Sequence, residues 1–202
     1  MKDIWNKRYA EKEYAYGTGP NNYFKQQLDK LCPGKLFLPA EGEGRNAVYA
    51  AKLGWQVLAV DMSEMGKEKA MKLAAENEVE IKYQIDDLEN YQYPVNEYDA
   101  VGIIYAHFLS NTRKQVYRKI AGSLKIGGAL ILETFSKNQL GKSSGGPQNI
   151  DMLNSLDEIK ADFDGFDFIE QVEVQIKLDE GGLHQGLAEV VRILARKIMH
   201  VD

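Results

Sequence analysis

The run Glu41-Gly42-Glu43-Gly44-Arg45-Asn46-Ala47, followed by Asp61, carries the residue types and spacing in this chain that speak most directly of ligand chemistry. Gly42 and Gly44 have no Cβ, so a ligand can come against the backbone where a helix begins. Asp61 stands 17 positions after Gly44 and can accept hydrogen bonds from both hydroxyls of a ribose. A nucleoside-containing cofactor is the reading that follows. The run also satisfies the dinucleotide pattern G-x-G-x-x-G/A, and a structural turn with a solvent-facing aspartate is the alternative. His107 is the one histidine whose position suggests catalysis, as a general base or substrate contact. A histidine bonded within a loop is its structural alternative. Trp5, Tyr9, Tyr14 and Tyr16 gather aromatic faces ahead of this region, suited to walling a substrate pocket or attracting a cation.

These residues need a scaffold, and the hydrophobic pattern supplies one. An apolar run at Leu36 leads into the glycine turn, a helical segment stops at Gly54, and a second apolar run ends in Asp61. This is a βαβ unit. Ser63 can cap a helix from Glu64 to Asn77. Strands follow at Ile81 to Ile85 and at Asp99 to Tyr105; the latter is nearly continuous in apolar residues, as a strand buried on both faces should be. His107 lies just past its end. A helix from Thr112 to Leu124 stops before Gly127-Gly128, and Ala129 to Phe135 forms a fifth strand. Such alternation implies a parallel sheet covered by helices on both faces.

The remainder departs from that rhythm. Ser136 to Asn149 is polar and glycine-rich, either a flap or a connector. Ser155 and Glu158 have the spacing of a capping box. Val172, Val174, Ile176 and Leu178 alternate with polar residues, Asp179-Glu180-Gly181-Gly182 is a turn signal, and Leu187 to Ala195 is a second strand. Two strands joined without a crossover should be antiparallel. His184 and His200 fall in the turn region and the terminus and suggest no role. Asp162, Asp164 and Asp167 imitate a calcium loop but lack its glycine, so they read as surface and turn acids.

Composition narrows the function. The 202 residues, 44% hydrophobic and 27% charged, fit one globular domain over 1–202, with 1–20 as an aromatic arm. Gly17-Thr18-Gly19 could hinge that arm as a lid; a helix packed on the domain is the alternative. A net charge of −5 disfavours nucleic-acid binding. The pairs Arg113-Lys114 and Arg118-Lys119 read as a solvated helix face. One cysteine, Cys32, excludes intrachain disulfides and multi-cysteine zinc sites, and no metal is expected. With no signal peptide or membrane-length apolar run, the expectation is a cytoplasmic protein. Its oligomeric state is open.

The sequence resembles the class I S-adenosylmethionine-dependent methyltransferases, in the branch related to tellurite-resistance and thiopurine methyltransferases. The likeness rests on Glu41 to Ala47, the aromatic arm, Asp61, Asp87-Leu88 after the third strand, Gly128-Ala129-Leu130-Ile131-Leu132-Glu133 at the fifth, and the closing hairpin. It implies an α/β fold: a doubly wound, mostly parallel seven-stranded sheet ending in an antiparallel C-terminal hairpin. It implies S-adenosyl-L-methionine as cofactor and a small-molecule methyl acceptor with a soft sulfur, selenium or tellurium nucleophile. Carried over by position, Ala40, Glu41, Gly42 and Gly44 line the methionine part, and Asp61 holds the ribose. Met62 packs on the adenine, Asp87 and Leu88 bond its edge, and Tyr105 faces the sulfur. Trp5, Tyr9, Tyr16 and Arg45 are the expected substrate contacts, although Arg45 also reads as an exposed helix start. The family motif has an acidic residue where Leu38 stands; Glu41 or Glu43 is expected to take its place. The competing readings are a cofactor-binding protein without methyl transfer and a nicotinamide-dependent reductase, whose short-chain form needs a Tyr followed four positions later by Lys, absent here.

Overall fold

Alternation along β1 (Lys35–Pro39) decides how the molecule is layered. Leu36 and Leu38 point to one face, where Phe24, Leu28, Ala47 and Ala70 gather; Phe37 points to the other, among Tyr91, Tyr98, Tyr117 and Ile120. Both faces are dry, so helices must cover both. In the computed structural model, which describes residues 2–199, they do. α2 (Asn22–Leu28), α3 (Arg45–Lys52) and α4 (Glu64–Glu76) bury their apolar stripes with the first cluster. α5 (Ser110–Ser123) and α6 (Leu156–Asp162) bury theirs with the second. α1 (Lys2–Tyr9) lies in the arm.

The sheet runs β3-β2-β1-β4-β5-β7-β6, with β2 (Gln56–Asp61), β3 (Lys82–Ile85), β4 (Tyr98–Ile104) and β5 (Leu124–Phe135) parallel to β1. β7 (His184–Lys197) is antiparallel to β5, and β6 (Phe166–Glu180) is antiparallel to β7. The seven-stranded, mostly parallel sheet with its closing hairpin is as the sequence implies. Strand order reverses between β1 and β4, so the crevice outside their carboxyl ends is where such a sheet receives a ligand. Gly102 on β4 lets α2 sit close: a Cβ there would stand 2.6 Å from the Phe24 ring and 2.7 Å from Leu38.

Local signals place the helix starts. Asn21 caps α2 through its side chain and Phe24 N–H, and Ser63 caps α4. Ser155 and Glu158 make the reciprocal capping box of α6. Two expectations are corrected. Arg113 does not belong to a solvated face; it is 1% exposed, bonded to Asp162 at 2.5 Å and Asn154 at 2.7 Å. Asp162, read as a surface acid, is its buried partner. Asn154 in turn donates to Thr134 Oγ1 at 2.9 Å. This cluster pins the chain returning from the 136–155 loop against the end of β5.

Asp162→Ala leaves the Arg113 guanidinium buried without its carboxylate. Removing one partner of a buried ion pair costs about 3–5 kcal/mol, to be read as a fall in the urea unfolding free energy; a loss below about 1 kcal/mol, the range of exposed pairs, would contradict this account.

Candidate functional site

Two residues at the strand ends take left-handed backbone angles that side chains ordinarily avoid: Ala40 after β1 (φ 54°) and Tyr105 after β4 (φ 51°). Strain of this kind persists where the surroundings enforce it and concentrates at functional sites. Both residues line a crevice at the carboxyl edge of the sheet. Its walls include Glu41, Asp61, Met62, Asp86, Leu88 and, from the arm, Trp5, Tyr9 and Tyr16.

Asp61 ends β2 and is buried at the crevice wall. Its Oδ2 accepts the Gly42 N–H at 3.0 Å and its Oδ1 the Ser63 N–H at 2.9 Å. An ionised carboxylate has about four acceptor positions, so capacity remains on both oxygens. Burial raises its pKa, while the Ser63 and Gly42 N–H groups work in the opposite direction. Glu41 Oε1 accepts the N–H groups of Asn46 and Ala47, each at 2.8 Å, at the start of α3. Burial pushes it up to about 7 against those bonds. Glu43 bonds instead to the arm's Ala15 N–H at 2.9 Å and to Lys69 at 2.8 Å.

The glycines serve packing at this turn. A Cβ on Gly44 would fall 2.5 Å from the Ala70 Cβ, so Gly44 allows α3 and α4 to touch. A Cβ on Gly42 would fall 2.6 Å from the Tyr9 hydroxyl, so the arm occupies that approach. Neither glycine is among the lining residues. After β3 the acids divide. Asp86 lines the crevice, whereas Asp87 is exposed and its Oδ1 accepts the Glu89 N–H at 3.0 Å in a local turn.

Beyond Tyr105 the crevice continues into a second, mostly apolar chamber. Trp5, Tyr16, His107 and His184 border both spaces; Ile4, Arg8, Gly145, Gly146, Pro147, Met152 and Leu183 complete the second. Its roof is the arm, one wall is the glycine-rich loop, and another is the β6–β7 turn. Gly181 permits that closure, since a Cβ there would fall 2.5 Å from Gly17 N.

Beneath the chamber lies a buried polar network whose members the sequence pattern did not bring together. Glu133 on β5 accepts from Tyr105 Oη at 2.6 Å, Asn21 Nδ2 at 2.6 Å and Arg192 Nε at 2.5 Å. Glu180 accepts from Arg45 Nη2 at 2.8 Å and Asn21 Nδ2 at 3.1 Å. Arg45 is thus neither an exposed helix start nor free for a substrate: it is buried and paired. His184, passed over in the sequence, is 4% exposed and lines both spaces; His200 lies outside the described residues. Tyr14 points away, its hydroxyl donating to Lys69 O at 3.2 Å. Among the described residues no group of His, Cys, Asp or Glu could hold a metal ion, and no helix is long and apolar enough to cross a membrane.

Residues 40–128 match the model of a methyltransferase domain. No curated protein matches the chain by sequence. Among solved structures, a protein from the work on conversion of a disulfide bond into a thioacetal group in echinomycin biosynthesis aligns with a TM-score of 0.78 at 13% identity, over 98% of this chain and 92% of that one. TehB from Haemophilus influenzae aligns at 0.73 and 18% identity, over 97% of this chain and 66% of TehB. A S-adenosylmethionine-dependent methyltransferase from Clostridium acetobutylicum ATCC 824 aligns at 0.69 and 12% identity, over 98% and 97%. At such identities the likeness speaks for the fold. The matched segment, residues 40–128, carries the features of a methyltransferase domain, which implies S-adenosylmethionine as cofactor.

His107 supplies a test of the closed site. Burial lowers its pKa from 6.5 to about 3, with His184 and Arg8 adding to the effect. A folded value below the unfolded one means that the neutral ring's contribution to stability is fully present above pH 6.5. It is lost as pH falls toward 3, where the unfolded chain has already taken its proton. Urea unfolding should therefore show the advantage of wild type over His107→Gln shrinking between pH 7 and 4. A difference that does not vary with pH would refute the buried neutral imidazole.

Proposed function

We propose that this chain transfers a methyl group from S-adenosylmethionine to a small acceptor with a soft nucleophile, a thiol or selenol above all. The observation that carries this reading is the chamber joined to the cofactor crevice. It is largely apolar, roofed by the arm and shares four bordering side chains with the crevice.

The lining fits the cofactor. Glu41, Glu43, Asp61 and Asp86 face the crevice with Arg45 as the only basic side chain there besides the imidazoles, which suits a ligand carrying an ammonium and a sulfonium. Asp61 has acceptor capacity left for the ribose hydroxyls. Leu88 and Met62 offer apolar surface for the base, and Asp86 takes the place first assigned to Asp87. Glu41, rather than an acid at Leu38, brings a carboxylate to the turn. Tyr9, Tyr16, Tyr105 and Trp5 present ring faces that attract a cation. When bound, the cofactor supplies a methyl group activated by a sulfonium leaving group; the protein aligns the acceptor and excludes water.

The acceptor class follows from the chamber's basicity. Burial lowers the pKa of both His107 and His184, so strong bases are lacking. Alcohols and ammonium groups hold their protons too tightly for such weak bases, whereas thiols and selenols are acidic enough. The likeness in fold to TehB supports a place near the tellurite-resistance branch. We read the arm as a lid over both spaces, because Tyr9 and Tyr16 would block entry where they now stand. The reductase reading finds no support in this lining, and a binding protein without transfer would not require the second chamber.

Two measurements decide. In calorimetric titration with S-adenosylhomocysteine, Asp61→Ala should weaken binding by about 10- to 100-fold, the loss of one or two hydrogen bonds to a charged group; unchanged affinity would remove the ribose assignment. Incubation with methyl-labelled cofactor and a panel of thiol, selenite, tellurite, phenol and amine acceptors should label the chalcogen acceptors. Label on amines or phenols alone would overturn the soft-nucleophile reading. No label at all, with the cofactor bound, would favour binding without transfer.

A further inference from the structure

The β6–β7 turn delivers a second imidazole to the chamber, and its surroundings differ from those of His107 in one decisive respect. Nδ1 of each ring is buried with no hydrogen-bond partner, but that of His184 has a carboxylate within ion-pair range, Glu180 Oε2 at 3.6 Å. Although burial works against ionisation, His184 and Arg45 hold the Glu180 carboxyl below the usual glutamate range. A carboxylate facing Nδ1 favours the tautomer with its proton there and leaves the lone pair on Nε2. That edge of the ring borders the chamber wall: a Cβ on Gly145 would stand 2.7 Å from Cδ2 and 3.2 Å from Nε2. The ring's orientation is fixed by Tyr16 at 4.4 Å, Tyr105 at 4.7 Å and Phe135 at 5.4 Å between centroids.

The charged and titratable groups around His184 are few. Glu180 faces it from β6, Arg45 from α3 and Glu133 from β5. Tyr105 and His107 face it from the end of β4 and Tyr16 from the arm. Tyr105 is already committed to Glu133, and Tyr16 Oη accepts from Arg8 at 2.7 Å. A proton arriving on His184 therefore meets Glu180, whereas one arriving on His107 meets no carboxylate.

We propose that His184, oriented by Glu180, is the base that takes the acceptor's proton; this rests on the methyl-transfer reading above. The acceptor's S–H or Se–H bond breaks, its proton moves to Nε2, and the electron pair stays on the chalcogen as the nucleophile. The imidazolium so formed keeps its Nδ1–H toward Glu180 and returns the added proton to water after the product leaves. Glu180 is a positioning residue and His107 a wall of the chamber.

The test uses the full chain without cofactor, with thiophenol as the probe, its thiolate followed by ultraviolet difference absorbance across pH. Thiol bound to wild type should ionise about one pKa unit lower than thiol bound to His184→Asn, a tenfold difference in thiolate fraction. Glu180→Gln should lie between, and His107→Gln should match wild type. Equal titration in wild type and His184→Asn overturns the proposal, as does a shift produced by His107→Gln instead. Nitrogen-15 NMR of the unmodified protein gives a second readout that needs no folded variant and no bound probe: His184 should be the Nδ1–H tautomer, and an Nε2–H tautomer overturns the assignment. Methyl transfer with neither signature sinks this inference alone; both signatures without methyl transfer sink the functional reading alone.

Discussion

Burying charge in pairs is the constraint that orders this molecule. Glu133 and Glu180 sit out of water beneath the chamber with Arg45 and Arg192. Taking a single ion out of water costs several kcal/mol even after relaxation, and only near-complete pairing offsets it. Here two carboxylates meet two guanidiniums, with Asn21 and Tyr105 supplying neutral donors. The members come from α2, α3, β4, β5, β6 and β7. No slip in the pairing of the hairpin with β5 leaves them matched, because moving a strand by one residue turns its side chains to the other face. The network thus fixes the register of the antiparallel half on the parallel half, directly under the place where a ligand would sit.

Register then determines where the β6–β7 turn lands. The strands are long, 15 and 14 residues, and carry the turn past the sheet edge until it meets the arm at Gly17 and Gly181. Opposite ends of the chain in this way close one chamber. The arm is held by polar contacts, Asn6 to Ser63, Ala15 to Glu43 and Tyr16 O to Arg45, and by the burial of Tyr9 and the packing of Tyr14 on the core.

How legible this was in the sequence depended on range. The βαβ unit, Asp61 at a strand end, the capping box and the hairpin are local patterns of period 2 or 3.6, and all were readable. Asp86 and Asp87 were not separable, because one residue's rotation after β3 decides which acid faces the crevice. Arg113 and Arg45 were read as exposed, since a basic residue at a helix start or on a helix face ordinarily is; their partners, Asp162 and Glu180, lie 49 and 135 positions away. His184 was unreadable for the same reason. Only hairpin length and register bring it over the site, and neither carries a motif. Glu133 offered the one available signal, an acid within the apolar stretch of β5 that is buried on both faces.

A fold of this kind hosts many reactions, so the chemistry has to come from the site. Enclosure by Trp5, Tyr16, Tyr105 and Phe135 does two things together. It strips water from both imidazoles, weakening them as bases, and it strengthens whatever charge interactions remain, because the local dielectric falls. The imidazole without a carboxylate loses on both counts. The imidazole facing Glu180 loses on the first and is only partly offset by the second, so burial still holds its pKa below the ordinary value. One act of burial therefore sets two histidines apart, His107 with no carboxylate near its ring and His184 beside Glu180.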